Sequence, residues 1–142
     1  MNNTQLSGAI TEQKCFLKCL EHGFQISKPL FDNARYDFIL DTGARLFKIQ
    51  IKTSHWTNDN KESFSFNCYS QHSTGDGNKR MKYTSKEIDY FMTEQDGKFY
   101  LFPAPEQGMT QKTLRVKPCL SGQTKNISFA EDYLFEEVIK GF

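Results

Sequence analysis

The sequence predicts an α/β domain in which a mixed β-sheet is covered on its faces by helices. The chain begins with a segment of helical periodicity, and its middle consists of short runs in which apolar and polar residues alternate, as in half-buried strands. Its 13 Phe and 6 Tyr residues fall mostly in those runs, and aromatic side chains favour strands. The predicted order is helix, three or four strands, helix, two strands and helix, which is typical of sheets with helices packed on them.

The first helix is predicted over residues 7–21. An apolar stripe recurs along this segment at helical spacing, and Gly23 supplies the left-handed residue that commonly ends a helix. The stripe consists of Ala9, Phe16, Cys19 and Leu20. Glu12 lies on its flank, so its carboxylate is expected beside the packed face of the helix.

Strands are predicted at the alternating runs. They cover residues 24–27, 35–41, 45–54, 62–70, 89–93 and 98–102, with a last strand at 113–117. Turn sequences at Thr42-Gly43 and at residues 94–97 indicate two hairpins. Residues 71–78 are rich in Ser, Gly and Asp and are predicted to form a loop.

Two further helices complete the predicted architecture. Thr84 and Glu87 have the spacing of a capping box, which predicts a short helix from residue 84. Ser128 is predicted to cap a C-terminal helix over residues 129–140. No repeat, low-complexity tract or linker interrupts the 142 residues, so one domain is expected.

Composition excludes several classes of protein. No segment approaches the roughly 18 apolar residues of a membrane span, and the first residues lack the basic and apolar regions of a signal peptide, so a cytoplasmic protein is expected. The 4 cysteines are then expected to be free thiols. Their spacing contains no C-x2-C pair for zinc, and none lies in a sequence typical of a nucleophilic cysteine.

The net charge is only +1, so the distribution of charge says more about partners than its sum. Basic residues are concentrated within residues 45–52, 79–86 and 112–117. The best candidates for contacts with nucleic-acid phosphates are Lys79, Arg80 and Lys82. An ordinary solvated surface is the alternative interpretation of the same charges.

The first predicted hairpin carries the residues of chemical interest. Alternation along its second strand points Gln50 and Lys52 to the same side. The short turn brings Asp37 opposite residues 48–50, on that same face. The carboxylate and the side-chain amide oxygen, together with the backbone carbonyl of Ile51, form a set of hard oxygen ligands suited to Mg²⁺.

Lys52 and Glu12 add functional groups to this set. An ammonium group beside a metal ion can orient or deprotonate a water molecule and stabilise a phosphorane-like transition state. The Glu12 carboxylate would act on the metal through a bound water. Each of these residues, taken singly, is more often structural, because aspartate next to a turn and lysine on a half-exposed strand are both common.

The combination resembles the PD-(D/E)XK nuclease superfamily. It consists of Glu12 in a first helix, Tyr36-Asp37 on a strand and Gln50-Ile51-Lys52 on the next. Within the superfamily the sequence is most similar to the small group I intron-encoded homing endonucleases and more distantly to archaeal Holliday junction resolvases. The resemblance continues through residues 83–103, where Tyr-x3-Glu-Ile-Asp-Tyr-Phe is followed by an acidic turn and a strand that ends in Pro.

The resemblance implies a restriction-endonuclease-like core in a single endonuclease-like domain over residues 1–142. It implies Mg²⁺-dependent hydrolysis of phosphodiester bonds in double-stranded DNA, with Mn²⁺ as a substitute. In these roles Asp37, Gln50 and the Ile51 carbonyl would bind the metal, Lys52 would position or activate the water, and Glu12 would support the site from further out. Ser54 and the basic residues at 79, 80 and 82 would contact the DNA. A homodimer or homotetramer is expected, because one small domain does not easily cut both strands.

Two positions depart from the family pattern. Gln50 stands where the (D/E)-x-K element has an acid, and Tyr36 stands where the pattern has Pro. Glutamine occurs at this position in active members of the intron-encoded group, which implies that it is tolerated here. Weaker affinity for Mg²⁺ is the expected cost. The alternative is a nuclease-like fold kept for binding DNA or a partner, with Gln50 marking a lost metal site. A third interpretation is an RNA-processing or viral nuclease of the same fold.

Overall fold

A computed structural model of the chain describes residues 2–142, apart from the side chains of residues 72–74. The helices in that part of the chain are α1 (Asn3–Glu21) and α2 (Phe135–Val138), with 3₁₀ helices at Ala130–Tyr133 and Ile139–Gly141. The strands are β1 (Gln25–Ser27), β2 (Phe38–Asp41), β3 (Leu46–Ile51), β4 (His55–Trp56), β5 (Ser63–Asn67), β6 (Tyr69–Thr74), β7 (Gly77–Lys82), β8 (Tyr90–Gln95), β9 (Lys98–Pro103) and β10 (Gln111–Arg115).

Five strands form the central sheet, in the order β1-β2-β3-β8-β9. β3 and β8 are parallel, whereas the other neighbouring pairs are antiparallel. The sheet is therefore mixed and the fold is α/β, as the sequence predicts. A parallel pair requires a crossover. Here the crossover supplies β4 and β5, which form a second sheet with β10, and the separate hairpin β6–β7.

Apolar layers cover the central sheet on both faces. On one face α1 and α2 pack against a core made of Cys15, Phe16, Cys19, Phe38, Leu40, Phe47, Ile49, Ile51, Met92, Leu101 and Phe135. The core on the other face consists of Phe64, Phe66, Cys68, Tyr83, Ile88, Phe91, Tyr100, Phe102, Ala104, Leu114 and Ala130. Helices were expected on the faces, but the second sheet covers most of this one. β5 has an apolar side, which the second sheet buries against this face of the central sheet.

α1 begins at Asn3 rather than at residue 7. The Asn2 side chain accepts the Gln5 N–H over 2.8 Å, and the Gln5 side chain accepts the Asn2 N–H over 3.1 Å. These reciprocal bonds form a capping box at the start of the helix. The first turn is exposed, so its residues need not be apolar at helical spacing. The sequence therefore contains no periodic pattern that would indicate the helix there.

Residues 71–78 are not a loop, because β6 and β7 pair as an antiparallel hairpin. The predicted strand over residues 62–70 is divided accordingly, since β5 ends at Asn67 and β6 begins at Tyr69. Every residue of β7 is exposed. Without a buried face there is no alternation to predict the strand, and backbone pairing alone defines it.

The predicted helix at residue 84 is a single turn. Glu87 Oε1 accepts the Thr84 N–H over 3.1 Å, as a capping box requires. The chain then leaves the helical path because the Asp89 N–H donates to the Lys48 carbonyl oxygen and β8 follows. Pairing with β3 therefore overrides the local helical signal.

The predicted C-terminal helix is interrupted at Leu134, which has extended backbone angles of φ −55° and ψ 137°. Leu134 forms an isolated bridge with Tyr100 of β9, so contact with the sheet breaks the helix into three short pieces. Ser128 does not cap it. Instead the Lys112 ammonium group donates to the Ser128 hydroxyl over 2.7 Å.

Both predicted hairpins of the central sheet are confirmed. β2 and β3 meet at a turn in which Gly43 adopts a φ of 88°, and β8 and β9 meet at Asp96 and Gly97, with φ values of 55° and 82°. The positive angles at both positions of the second turn match the twist of the strands that it joins.

The four cysteines are free thiols, and Cys15, Cys19 and Cys68 are buried. Burial raises the pKa of Cys19 and of Cys68 to about 12, so they stay protonated and pack as small apolar residues. In the described part of the chain, no helix is long and apolar enough to cross a membrane.

Candidate active site

Asp37 immediately precedes β2, and two hydrogen bonds fix its position. Its N–H donates to the Ile49 carbonyl oxygen over 2.8 Å, and its Oδ2 accepts the Ile51 N–H over 2.7 Å. The register of the hairpin pairs Phe38 with Ile49. The next pair in this register is Asp37 with Gln50. Their side chains therefore lie on the same face of the hairpin, as the alternation predicts.

Gln50 and Ile51 add oxygen atoms beside this carboxylate. The Gln50 side chain is half-buried, and its Nε2 lies 3.5 Å from the Ile51 carbonyl oxygen. Rotating the terminal amide by half a turn exchanges its nitrogen for its oxygen. Oε1 would then occupy the position beside the Ile51 carbonyl oxygen. Three kinds of oxygen atom, from a carboxylate, an amide and a backbone carbonyl, are thus available at the end of β3.

Lys52 follows β3 directly, and its N–H donates to the Met92 carbonyl oxygen over 2.9 Å. Its Nζ donates to the Tyr69 carbonyl oxygen over 2.8 Å and lies 5.1 Å from the centre of the Tyr83 ring. Burial lowers the pKa of Lys52, and the negative charge of Asp37 partly offsets that effect. The ammonium group is therefore held between the carboxylate and the base of the β6–β7 hairpin.

The pKa of Asp37 is raised, and burial is the main cause. The hydrogen bond from Ile51 lowers this pKa, whereas the charge of Glu12 raises it, and Lys52 and Lys28 lower it. The carboxylate is thus held where its negative charge is only partly compensated by the protein. A partly buried carboxylate of this kind is suited to pairing with a cation.

Glu12 lies at the rim of the site rather than in contact with its other residues. Its Oε1 is 3.5 Å from the Lys28 Nζ, and its side chain is 35% exposed. Its charge nevertheless contributes to the raised pKa of Asp37, so the two carboxylates are near enough to repel each other. The packed flank predicted for Glu12 is therefore partly open to solvent.

The donor set fits a divalent cation. Among the described residues, Asp37 Oδ1 has no hydrogen-bond partner, which leaves this oxygen available as a ligand. The neutral Gln50 amide and the Ile51 carbonyl add hard oxygen donors without adding charge. Among the residues that the structure describes, no group of three or more His, Cys, Asp and Glu side chains could hold a metal. The donor set of this site therefore depends on amide and carbonyl oxygens as well as on one carboxylate.

Arg35 is a residue of the site that the sequence analysis missed. Its Nε donates to Glu87 Oε2 over 2.7 Å, its Nη1 to Ser70 Oγ over 2.6 Å, and its Nη2 to the carbonyl oxygens of Met81 and Lys82 over 3.2 and 3.0 Å. The guanidinium also lies 4.0 Å from the centre of the Tyr83 ring. Arg35 thus joins the segment that carries Asp37 to both strands of the β6–β7 hairpin. A single arginine before a strand belongs to no periodic pattern, so the sequence does not indicate its role.

The basic residues predicted to contact DNA lie on β7 of that hairpin. Lys79, Arg80 and Lys82 are all exposed. The Arg80 guanidinium stacks over the Tyr69 ring at 4.5 Å, and the Tyr69 carbonyl accepts the hydrogen bond of Lys52. The hairpin with its positive charges is therefore attached directly to the candidate catalytic lysine.

Ser54 is not at the surface, where a phosphate contact would require it to be. It is only 8% exposed, and its hydroxyl lies 2.8 Å from both the Glu94 carbonyl oxygen and Gln95 Oε1. These contacts fix the chain after Lys52 to the end of β8. The prediction that Ser54 contacts DNA is therefore corrected to a structural role.

Comparison with known protein families identifies the class of protein to which the chain belongs. The family model for the PD-(D/E)XK endonuclease matches residues 2–136. Since the match spans nearly the whole sequence, the protein belongs to the PD-(D/E)XK endonuclease family.

Within that class, the chain is similar to the solved structure of a bacterial homing endonuclease, I-Ssp6803I. The two agree with a TM-score of 0.77 at 20% sequence identity, over 98% of this chain and 93% of that chain. At this identity the likeness shows the shared fold, and it confirms the restriction-endonuclease-like core. No curated protein matches the sequence.

Glu87→Gln should destabilise the folded protein at neutral pH and have little effect in acid. Burial of Glu87 opposes its ionisation, but hydrogen bonds from Arg35 and Thr84 outweigh burial and hold its pKa below the usual value. The stabilisation is present above the pKa that Glu87 has in the unfolded chain, and it is lost as the pH falls through the lower pKa of the folded state. Urea unfolding at a series of pH values measures the effect, with the exposed Glu106→Gln as the control. A loss of stability that is the same at every pH would contradict this account.

Proposed function

We propose that the protein is a metal-dependent DNA endonuclease that hydrolyses phosphodiester bonds, in the manner of a homing endonuclease. The observation that carries the proposal is the convergence of Asp37, Gln50, the Ile51 carbonyl and Lys52 at the end of β3. The family supports nuclease function, and the related fold of a homing endonuclease supports DNA as the substrate. In this proposal residues 1–142 form one nuclease domain of a cytoplasmic protein.

Asp37 Oδ1, Gln50 Oε1 and the Ile51 carbonyl oxygen would hold Mg²⁺, for which Mn²⁺ would substitute. The ion would supply a Lewis acid at the scissile phosphate and lower the pKa of a bound water. Lys52 Nζ, positioned by the Tyr69 carbonyl, orients the attacking water and donates to the phosphate oxygens as their charge rises. The water oxygen bonds to phosphorus and the bond to the leaving oxygen breaks. The water proton passes to solvent, and the leaving oxygen takes up a proton from solvent.

The alternative function is a nuclease-like module that binds DNA or a protein partner without cutting. The neutral side chain of Gln50 is the observation that favours it, because the site then has one negative charge fewer to hold a cation. The two proposals differ in whether Asp37 binds a metal. An RNA nuclease of the same fold differs from both in its substrate.

Lys52→Ala should reduce metal-dependent nicking of supercoiled plasmid by at least about a hundredfold, because it removes the group that faces the reacting phosphate. Lys98→Ala, at an exposed lysine of β9, is the matched control and should nick at the rate of the original protein. Circular dichroism and the unfolding midpoint establish that both variants are folded.

Equal nicking by Lys52→Ala and the original protein would refute the mechanism. Titration calorimetry with Mn²⁺, in the original protein and in Asp37→Ala, separates the nuclease from the binding module. Loss of Mn²⁺ binding in Asp37→Ala supports the nuclease. A folded protein that neither binds Mn²⁺ nor cuts is the binding module, and a structured RNA in the same assay detects an RNA nuclease.

Gln50→Glu should lower the concentration of Mg²⁺ required for half-maximal nicking by about tenfold, because it restores a charged oxygen ligand to the site. The added carboxylate also repels Asp37, so the variant should unfold more easily in the absence of metal. The metal dependence of nicking and of the unfolding midpoint are the two measurements. A Mg²⁺ dependence that does not change would show that residue 50 is not a ligand.

The exposed basic residues of β7 are proposed to position the protein on DNA through phosphate contacts. Replacing Lys79 and Lys82 by Ala should weaken binding to all DNA sequences alike and reduce the slope of log affinity against log salt by about 0.9 per lost contact. Fluorescence anisotropy with duplex DNA measures the slope, with Lys98→Ala as the control. A slope that stays the same would exclude these lysines from the interface.

A homodimer or homotetramer is part of the proposal, and the outer side of α1 is the surface that supports it. Four apolar side chains there are about half exposed, namely Leu6 at 49%, Ile10 at 46%, Leu17 at 58% and Leu20 at 53%. With Gln13 they follow the four-then-three spacing of a helix seam. A second copy of the same helix would bury this stripe against an identical one.

Leu17→Glu should therefore convert the oligomer to a folded monomer, because it places a charge in the middle of the seam. Leu120→Glu, at a fully exposed leucine far along the chain, introduces the same charge and should leave the mass unchanged. Light scattering after size exclusion gives the mass of each. An original protein that is already monomeric, or a Leu17→Glu variant that keeps the oligomeric mass, would remove α1 from the proposed interface.

A further inference from the structure

An open cleft of about 470 Å³, lined by both polar and apolar residues, lies beside the candidate active site. Lys52 forms part of its wall, so the cleft is continuous with the proposed catalytic group. The rest of the wall comes from two turns at the start of α1 and from the second sheet. Its polar lining residues are Thr4, Thr53, His55, Ser65, Asn67 and Gln111. The wall contains a lysine and a histidine but no carboxylate, which suits a polyanion.

The wall on the α1 side is a continuation of the helix face that packs on the sheet. Thr4, Gly8 and Glu12 follow one another at intervals of four residues, so they lie along one side of α1. Towards the C-terminal end this side is buried, at Thr11 and Cys15. Towards the N-terminal end, Thr4 and Gly8 line the cleft.

Gly8 is unexpected inside a helix, because glycine favours helices less than every residue except proline. No packing against the described residues requires it, since a Cβ added at this position would meet none of their atoms within 4 Å. Its backbone does not require it either, because Gly8 is not among the glycines with positive φ. The absence of a side chain leaves the part of the cleft beside α1 open.

The wall on the other side presents two amide side chains that the protein does not use. Asn67 of β5 and Gln111 of β10 are direct partners in the antiparallel register, so they lie side by side. Both are exposed, and neither side chain makes a hydrogen bond with the described part of the chain. His55 of β4 and Ser65 of β5 are also directly paired, two residues along β5 from Asn67. Asn and Gln amides are the side chains that bind adenine through two hydrogen bonds.

We propose that this cleft binds the double-stranded DNA next to the scissile phosphate, with the sugar-phosphate backbone passing over Gly8 and the base edges facing Asn67 and Gln111. The inference deepens the proposed function, on which it rests. In this arrangement the sheet β4–β5–β10 determines the sequence preference close to the cut. The β6–β7 hairpin contacts phosphates further away. Gly8 then provides the close approach of two backbones that a side chain would prevent.

Binding in EDTA tests the cleft without requiring cleavage. The probe is a short fluorescein-labelled DNA duplex of random sequence, titrated with the full chain. Gly8→Gln places a side chain in the cleft and should weaken binding at least about tenfold, while raising the unfolding midpoint because Gln is the better helix former. Gly8→Ala adds only a methyl group and should weaken binding by less than Gly8→Gln does.

Gly141→Gln is the matched control, because Gly141 also has open space around it and normal φ but lies outside the cleft. It should bind the duplex as the original protein does. Equal binding by Gly8→Gln and Gly141→Gln would overturn the proposal, and so would a stronger affinity for single-stranded DNA or RNA of the same length. A result in which Gly8→Gln loses binding although the original protein never cuts DNA supports the cleft and refutes only the proposed catalysis.

The proposed role of Asn67 and Gln111 in base recognition is tested by the DNA sequences that the protein selects. A library of random duplexes is retained on the immobilised protein and sequenced, for the original chain and for Asn67→Ala combined with Gln111→Ala. The variant should lose base preference at neighbouring positions of the selected duplexes while its average affinity for the unselected library falls by less than about threefold. An unchanged preference would exclude these residues from base recognition.

Discussion

The hydrogen bond from the Ile51 N–H to Asp37 Oδ2 is the constraint on which the rest of the site depends. It joins the residue before β2 to the last residue of β3, and it fixes the register at the end of the hairpin where the oxygen donors meet. A shift of one residue would turn Gln50 towards the core and Ile51 away from it. The same bond also lowers the pKa of a carboxylate that burial and Glu12 both raise, so it holds Asp37 in a position that its charge disfavours.

The β6–β7 hairpin is attached directly to Lys52, the candidate catalytic residue. Lys52 donates to the Tyr69 carbonyl at the start of β6, and Arg35 donates to groups on both strands. Exposed hairpins are marginal by themselves, so these charged hydrogen bonds at its base supply much of its attachment. Because Arg35 lies two residues before Asp37, these hydrogen bonds connect the hairpin to the segments that carry both Asp37 and Lys52.

The sequence predicts the elements that have a buried side, and it fails where burial is absent. Alternation of Ile49 and Ile51 with Gln50 was enough to predict the strand and the face of the site, because the apolar residues must point to the core. β7 is exposed throughout, and the first turn of α1 is exposed as well, so neither has a pattern. Arg35 and the cleft around Gly8 depend on residues far apart in the chain, and no local signal contains that information.

Gln50 is best understood through the charges that surround it. Asp37 is partly buried, and the nearby Glu12 charge already raises its pKa. A third carboxylate at position 50 would add repulsion that only a bound cation relieves, which would destabilise the metal-free fold. An amide retains an oxygen ligand without that repulsion, at the expense of metal affinity. The glutamine that is the main reason to doubt the metal site thus also avoids this repulsion in the metal-free protein.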